Sequence, residues 1–463
     1  MLTGTPLKLM FSTEIAGSAV IADYASHVNP QWVRLLNVLE MNVAYESCDG
    51  VELHVAGGPT VLDFLSGYCV HNVGHNHPSI IAAIKDELDR RGPAMLQSHV
   101  PDLAGSLAKR LVTLAGKPYE KVFFACSGSE GVETAIKFSR RCTGRTPLLY
   151  AEGAFHGLTC GALSLMGNSF WRDKFGPMLA ETSSVPFGDL GALKQRLSQT
   201  KYAAYFVEPM QAEAGIRIPT PDYLAEAREI CHRYGALLVI DEVQTGMFRT
   251  GSFLASHQLG GSGDILVLAK ALSGGLVPVS ATLMTGRVYD HVYDSLKRSI
   301  IHTSTFSENA LAMRTGLATL DVLEGERLGA RALELGEHLR NRLKRALSHF
   351  PMVRDIRGMG MLSGIEFEPP KTIAVRALFE GFRAVHAGMF GQVIVMRLFR
   401  DWNILTQMCG NNFMVLKVAP PLVVTGEQID RFVDALSEIV QMMHSPGEFW
   451  TEALGLARRA VDV

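Results

Sequence analysis

Residues 236–246 read ALLVIDEVQTG and residues 265–275 read ILVLAKALSGG. Each opens on an unbroken apolar run, as a strand buried on both faces requires, and each run leads into a charged residue. The pattern recurs upstream in KVFFACSG from Lys121, PLLYAEGAF from Pro147 and YAAYFVEP from Tyr202. Between these runs, GVETAIKFSRRC (131–142) and PDYLAEAREICHRYG (221–235) carry helical spacing and candidate helix stops. Alternating strands and helices predict an α/β core with a mostly parallel central sheet. Sites in such cores lie beyond the C-terminal ends of the strands.

Working outward, residues 71–335 are expected to form this large unit. Residues 1–70 supply an N-terminal segment and part of a smaller domain, and 336–463 supply the rest, giving an α+β domain formed by both chain ends. VELHVAG (51–57) and TVLDFLSG (60–67) read as strands, and EHLRNRLKRALSHF (337–350) as an amphipathic helix. EQIDRFVDALSEIVQMM (427–443) reads as a surface helix with one apolar face, whose methionines pack.

The 463 residues hold 44 Lys+Arg against 46 Asp+Glu, a formal charge of −2, which argues against a broad basic surface for nucleic acid. An apolar fraction of 47% is enough for a large core and excludes a disulfide scaffold or a disordered chain. The seven cysteines are scattered without a CxxC pair, which fits a reducing compartment. The opening MLTGTPLKLMFSTEIAG lacks a basic leader with an apolar run behind it, and no 18-residue apolar stretch follows. A cytoplasmic protein without a membrane partner is expected.

Lys270 follows ILVLA, at the mouth of a strand. It is either a structural strand-end lysine or one whose nitrogen captures an aldehyde as a Schiff base and later carries a proton. Asp241 closes ALLVID, 29 positions earlier. It either caps a neighbouring amide or salt-bridges, or it keeps a pyridine nitrogen protonated through a charge-assisted hydrogen bond. In CSGSEGVETAIKFS (126–139), Gly128 permits close backbone approach and Ser129 can add a hydroxyl to amides facing a phosphate. A generic strand-turn-helix connection uses the same residues. Phe155 covers a flat group or sits in the core, His156 bonds a nearby group or backbone acceptors, and Gln244 supports a phenolate or bridges loops. In HNVGHNHP (71–78), His75 and His77 lack a placed third ligand, so turn support is favoured and no metal is expected.

Taken together, SGSEGVETAIK, AFHG, VEP, VIDEVQTG, LAKALSGG and HTSTFSEN resemble the class-III, or ornithine/acetylornithine/putrescine-type, family of pyridoxal-phosphate aminotransferases. The likeness runs through almost the whole chain, from GHNHP to IRGMGM and APPL, and the opening YASHVNPQWVRLL resembles the putrescine and diamine branch. It implies pyridoxal-phosphate fold-type I, with pyridoxal 5'-phosphate borne on Lys270 and passing through pyridoxamine 5'-phosphate. Asp241 is implied as partner of the ring nitrogen. Gly128 and Ser129 would face the phosphate, Phe155 the ring, with His156 beside it and Gln244 near the phenolic oxygen. Glu208, the acid of VEP, would pair with a basic residue or help discriminate the two amino substrates; alternatively it only ends its strand in a salt bridge. Thr305 matches a phosphate-binding threonine delivered from the neighbouring subunit, implying a homodimer with composite active sites.

Departures from the family pattern bear on specificity. Gln211-Ala212-Glu213-Ala214-Gly215 replaces a glycine-rich stretch, and Thr303, Ser307, Glu308 and Ala310 replace commoner glycines and a proline. Lys417 stands where an arginine usually clamps an α-carboxylate, and lysine lacks the bidentate fork. It either attracts the carboxylate differently or is a solvated surface lysine. The resemblance implies amino transfer from a terminal primary amine, on a diamine or modified amino acid, to 2-oxoglutarate or pyruvate. An aminomutase, a decarboxylase and a catalytically silent binding protein are the rival readings.

Overall fold

The computed structural model describes residues 18–96, 98–385 and 388–461. The opening 1–17, read above for a leader, lies outside the described residues. A seven-stranded sheet forms the centre, in the order Lys121–Ala125, Ser280–Met284, Ile265–Leu268, Leu237–Asp241, Ala204–Val207, Leu148–Ala151, Thr182–Val185. Only Ser280–Met284 runs antiparallel to its neighbours. The five apolar runs of the sequence are five of these strands, and Leu237–Asp241 and Ile265–Leu268 are buried at every position.

Two strands of this central sheet were not foreseen. Thr182–Val185 reads TSSV and is half-exposed at the sheet edge, where polar residues cost little. Ser280–Met284 (SATLM) is fully buried, but its mixed small and polar start breaks the apolar run that marks a buried strand.

The helix Gly128–Thr143 starts where Ser127 Oγ accepts Glu130 N–H at 3.2 Å and Glu130 Oε2 accepts Cys126 N–H at 2.9 Å. It ends at Gly144, left-handed at φ 67°. Its inner face buries Val132, Ala135, Ile136 and Phe138. Gly131 lets it approach the sheet, since a Cβ there would lie 2.7 Å from Val267 Cγ1.

Both chain ends meet in one small sheet, where Tyr45–Asp49, Glu52–Val55 and Thr60–Asp63 pair in sequence and Ile404–Leu405 adds in parallel beside Thr60–Asp63. A third sheet orders Val353–Met359, Leu362–Phe367, Asn412–Val418 and Gln407–Cys409. The helix Leu328–Leu347 runs unbroken across residue 335. Gly426–Met443 is held by a capping box at Thr425 and buries Ile429, Phe432, Leu436 and Met443 against the core. No described helix is long and apolar enough to cross a membrane.

Asp264, at the foot of Ile265–Leu268, accepts Leu238 N–H at 2.9 Å and His232 Nε2 at 2.9 Å. Burial opposes its charge, but the His232 and Leu238 hydrogen bonds and the Arg228 charge hold its carboxyl below the usual value. A carboxyl so depressed adds stability above its unfolded pKa and loses it as pH falls through the folded value. Asp264→Asn is expected to lower the melting temperature at pH 7 and to narrow the gap to the parent as pH falls below about 4. Thermal unfolding across pH 3–7, on the order of one melt per half unit, reads both effects.

Candidate active site

At the C-terminal ends of the central strands lies a cavity of about 440 Å³. Asp241, the last residue of its strand, and Lys270, two residues beyond Leu268, both line it. Lys270 has φ 47°, a left-handed conformation that costs a non-glycine residue about 1–3 kcal/mol. Among the described residues Lys270 makes no hydrogen bond or ion pair. Burial pulls its ammonium below the usual value, and Lys417 adds to the pull against the charges of Cys69, Glu213 and Asp241.

Asp241 Oδ1 accepts Val243 N–H at 3.0 Å, and Oδ2 lies 2.8 Å from His156 Nδ1. The carboxylate thus caps locally and still reaches the cavity. His156 answers a side chain and not the backbone acceptors that the sequence also allowed. Burial disfavours its charged ring, but the hydrogen bond and charge of Asp241 outweigh this and raise its affinity for a proton. Its Nε2 is buried without a partner.

Phe155 is half-buried on the cavity wall, so it is not a core residue. Its N–H donates to Glu208 Oε1 at 3.0 Å, while Glu208 Oε2 accepts Ala212 N–H at 3.4 Å. Glu208 therefore ends its strand in amide contacts and not in a salt bridge. Burial, with Asp241 adding repulsion, pushes its carboxyl up to about 7 against the pull of His156. Phe155 also packs edge-on against Trp171, centroids 5.6 Å apart. Trp171 Nε1 donates to Asn411 Oδ1 at 2.9 Å.

Gly128 approaches Val243 so closely that a Cβ would lie 3.0 Å from its Cγ2. Ser129 lines the cavity beside it, with its hydroxyl 2.6 Å from that of Thr159. Gln244 lines the cavity too; its Nε2 donates to Glu213 Oε1 at 3.0 Å, and its Oε1 is buried without a partner among the described residues.

Lys417 corrects the surface-lysine reading. It is 0% exposed, and its Nζ pairs with Glu213 Oε1. Glu213 Oε2 accepts Gly410 N–H at 2.8 Å, and the Tyr68 ring centroid lies 4.9 Å from Lys417 Nζ. Burial alone would raise Glu213, but the charge and hydrogen bond of Lys417 hold its carboxyl down at about 2. Sequence reasoning noted Glu213 only as part of a replaced glycine-rich stretch and missed Tyr68. The available signal was a lysine inside the apolar run VLKV (415–418).

Thr305 is not brought into this cavity. It is exposed in the loop before the helix Ala310–Gly325, and its neighbours Thr303, Ser304 and Ser307 line a separate cavity of about 410 Å³. His75 and His77 go to different acids, Asp63 at 2.8 Å and Glu326 at 3.0 Å, and so brace the turn separately.

The family described as Aminotransferase class-III matches residues 36–440. Aminotransferase PigE of Serratia sp. (strain ATCC 39006) is 34% identical over 447 residues, covering 90% of this chain but 52% of that protein, so the chain spans about half its length. Putrescine aminotransferase of Pectobacterium atrosepticum is 33% identical over 442 residues, covering 92% and 89%. A solved ornithine aminotransferase of Toxoplasma gondii, with partial occupancy of PLP at its active site, aligns at TM-score 0.75 with 29% identity, covering 86% of this chain and 88% of that one.

Removing one member of the Glu213–Lys417 pair strands a buried charge, at a cost of about 3–5 kcal/mol. Glu213→Gln is expected to lose stability on that scale, and the double variant with Lys417→Met to recover most of it. Denaturant unfolding of the single and double variants measures the coupling.

Proposed function

The chain belongs to the class-III aminotransferase family, pyridoxal-phosphate enzymes of fold type I, and on that premise we propose that it transfers an amino group from a terminal primary amine to 2-oxoglutarate or pyruvate. The carrying observation is the meeting, in one cavity, of Lys270, free of hydrogen bonds and ion pairs among the described residues, with Asp241. The cavity suits a flat, phosphorylated heterocycle. His156 Nε2 and Gln244 Oε1 are buried without partners among the described residues, and the Gly128 turn is tight, with a Cβ there 3.0 Å from Val243 Cγ2.

In this reading Gly128 and Ser129 hold the phosphate at the start of the helix Gly128–Thr143, where its amide groups favour an anion. Phe155 covers one ring face, and Gln244 lies near the phenolic oxygen. When bound, the cofactor supplies an aldehyde that captures primary amines and a pyridinium ring that withdraws electrons from the carbon bearing the nitrogen. Lys270 Nζ would hold the cofactor through that aldehyde, and as a free amine would move a proton at the donor's carbon. Its lowered pKa favours the neutral amine this task needs. Asp241, oriented by His156 Nδ1 at 2.8 Å, would hold a proton at the ring nitrogen. Glu208 steadies the covering residue through the Phe155 amide and makes no direct proton transfer.

The donor class rests on Lys417. Because Glu213 takes its charge, it offers no free cation to an α-carboxylate, which favours a diamine or a modified amino acid reacting at its far end. The name of the Pectobacterium relative, putrescine aminotransferase, supports the same class. We also take the working unit to be a homodimer in which Thr305 serves the neighbouring copy. Its exposure outside this chain's cavity, beside exposed Ile300, Ile301 and Phe306, supports that arrangement.

A panel of α-amines and terminal amines, followed spectroscopically and then given 2-oxoglutarate or pyruvate, is expected to bleach the cofactor band with terminal amines and to recover it with the oxo acid. Transfer from α-amines alone would sink the donor assignment. Lys270→Ala should abolish borohydride labelling and lower kcat by about 10²–10⁴-fold, the span of a lost general base. Asp241→Ala should retain measurable cofactor binding but lose rate on that same scale, about 10²-fold or more.

A further inference from the structure

Ser129 carries a hydroxyl that a phosphate would ordinarily share, and the network around it fixes where the proton goes. Glu133 stands four positions later on the same helix, hence on the same face. Its Oε1 accepts Gly161 N–H at 2.7 Å, Ala162 N–H at 3.1 Å and the Thr159 hydroxyl at 2.6 Å. An oxygen taking three donors acts as an acceptor, so the single hydroxyl proton of Thr159 is committed to it.

Ser129 Oγ and Thr159 Oγ1 lie 2.6 Å apart, and the only proton left for that contact is Ser129's own. Thr159 N–H returns a bond to Ser129 Oγ at 3.1 Å. The Ser129 side chain therefore gives one hydrogen bond and takes one, both with Thr159. Gly157 makes the approach possible, for at its φ of 114° a Cβ would lie 2.6 Å from Ser129 Oγ.

The loop 155–159 is thus held at two points, by Phe155 N–H on Glu208 at 3.0 Å and by Thr159 on Ser129. Between them lies His156, bonded to Asp241 at 2.8 Å. Resting on the reading that this cavity holds pyridoxal phosphate, we propose that Ser129 serves the phosphate through its backbone N–H alone, and that its side chain, with Thr159 and Glu133, fastens the ring-facing loop to the phosphate cradle. Thr159 and Glu133 are positioning residues for Phe155 and His156.

The test titrates the full-length protein with pyridoxal phosphate and with pyridoxal, so that the ratio of the two Kd values isolates the phosphate contribution. A hydroxyl donating to a phosphate dianion is a charged hydrogen bond, and its loss lowers that ratio by roughly tenfold or more. Ser129→Ala is expected to keep the ratio within about threefold of the parent, below that charged-bond threshold. Ser129→Ala and Thr159→Val should both alter the visible circular dichroism of the bound cofactor, and Thr159→Ser should restore it. A tenfold fall in the Ser129→Ala ratio, or a Thr159→Val spectrum identical to the parent's, overturns the proposal. Borohydride labelling of the parent tests the cofactor reading separately, by showing whether Lys270 is the residue trapped.

Discussion

The site depends on the parallel register of two strands. Asp241 pairs with Val267 and Ile240 with Leu266, so Leu237–Asp241 and Ile265–Leu268 end together. Asp241 and Lys270, 29 positions apart in sequence, therefore emerge at one edge of the sheet. On the other side Val207 pairs with Ile240, which sets Glu208 beside Asp241. Side chains alternate faces along a strand, so a slip of one residue would turn Asp241 away from the cavity. The complete burial of both strands resists such a slip, because any offset moves the charged residue at each end into the apolar layer.

Three carboxylates then crowd the strand ends, and their surroundings divide them. Asp241 has His156 and Glu213 has Lys417 as hydrogen-bonded partners, whereas Glu208 is hydrogen-bonded only by amides among the described residues and feels His156 at a distance. Burial and the neighbouring anion lift Glu208 to about 7, whereas Lys417 brings Glu213 down to about 2. A partly protonated Glu208 spares the site a second full negative charge next to Asp241. Glu208 is left to hold backbone.

What the sequence disclosed follows from the range of the interactions involved. Buried parallel strands announce themselves as local apolar runs, and Lys270 and Asp241 stood out because each follows such a run. The phosphate turn and Phe155 acquired direction from family resemblance, since their local pattern also fits an ordinary connection. The pairing of Lys417 with Glu213, 204 positions apart, has no local periodicity to betray it. Nor has the parallel addition of Ile404–Leu405 to Thr60–Asp63, which depends on where the two chain ends meet. The direction of the Ser129 hydroxyl is set by Thr159 and Glu133 in three dimensions, and side-chain identity alone leaves it open.

Lysine at position 417 also changes what surrounds it. An arginine fork binds both oxygens of a carboxylate, whereas an ammonium needs only one. Here Lys417 and Gln244 share Glu213 Oε1, which leaves Oε2 for the Gly410 amide at 2.8 Å. Asn411 N–H adds a bond to the Glu213 carbonyl at 2.9 Å, and its side chain receives Trp171 at 2.9 Å. Trp171 in turn packs on Phe155 at 5.6 Å. Lys417 is thus tied, through one acid and one hairpin, to the Phe155 wall of the cavity.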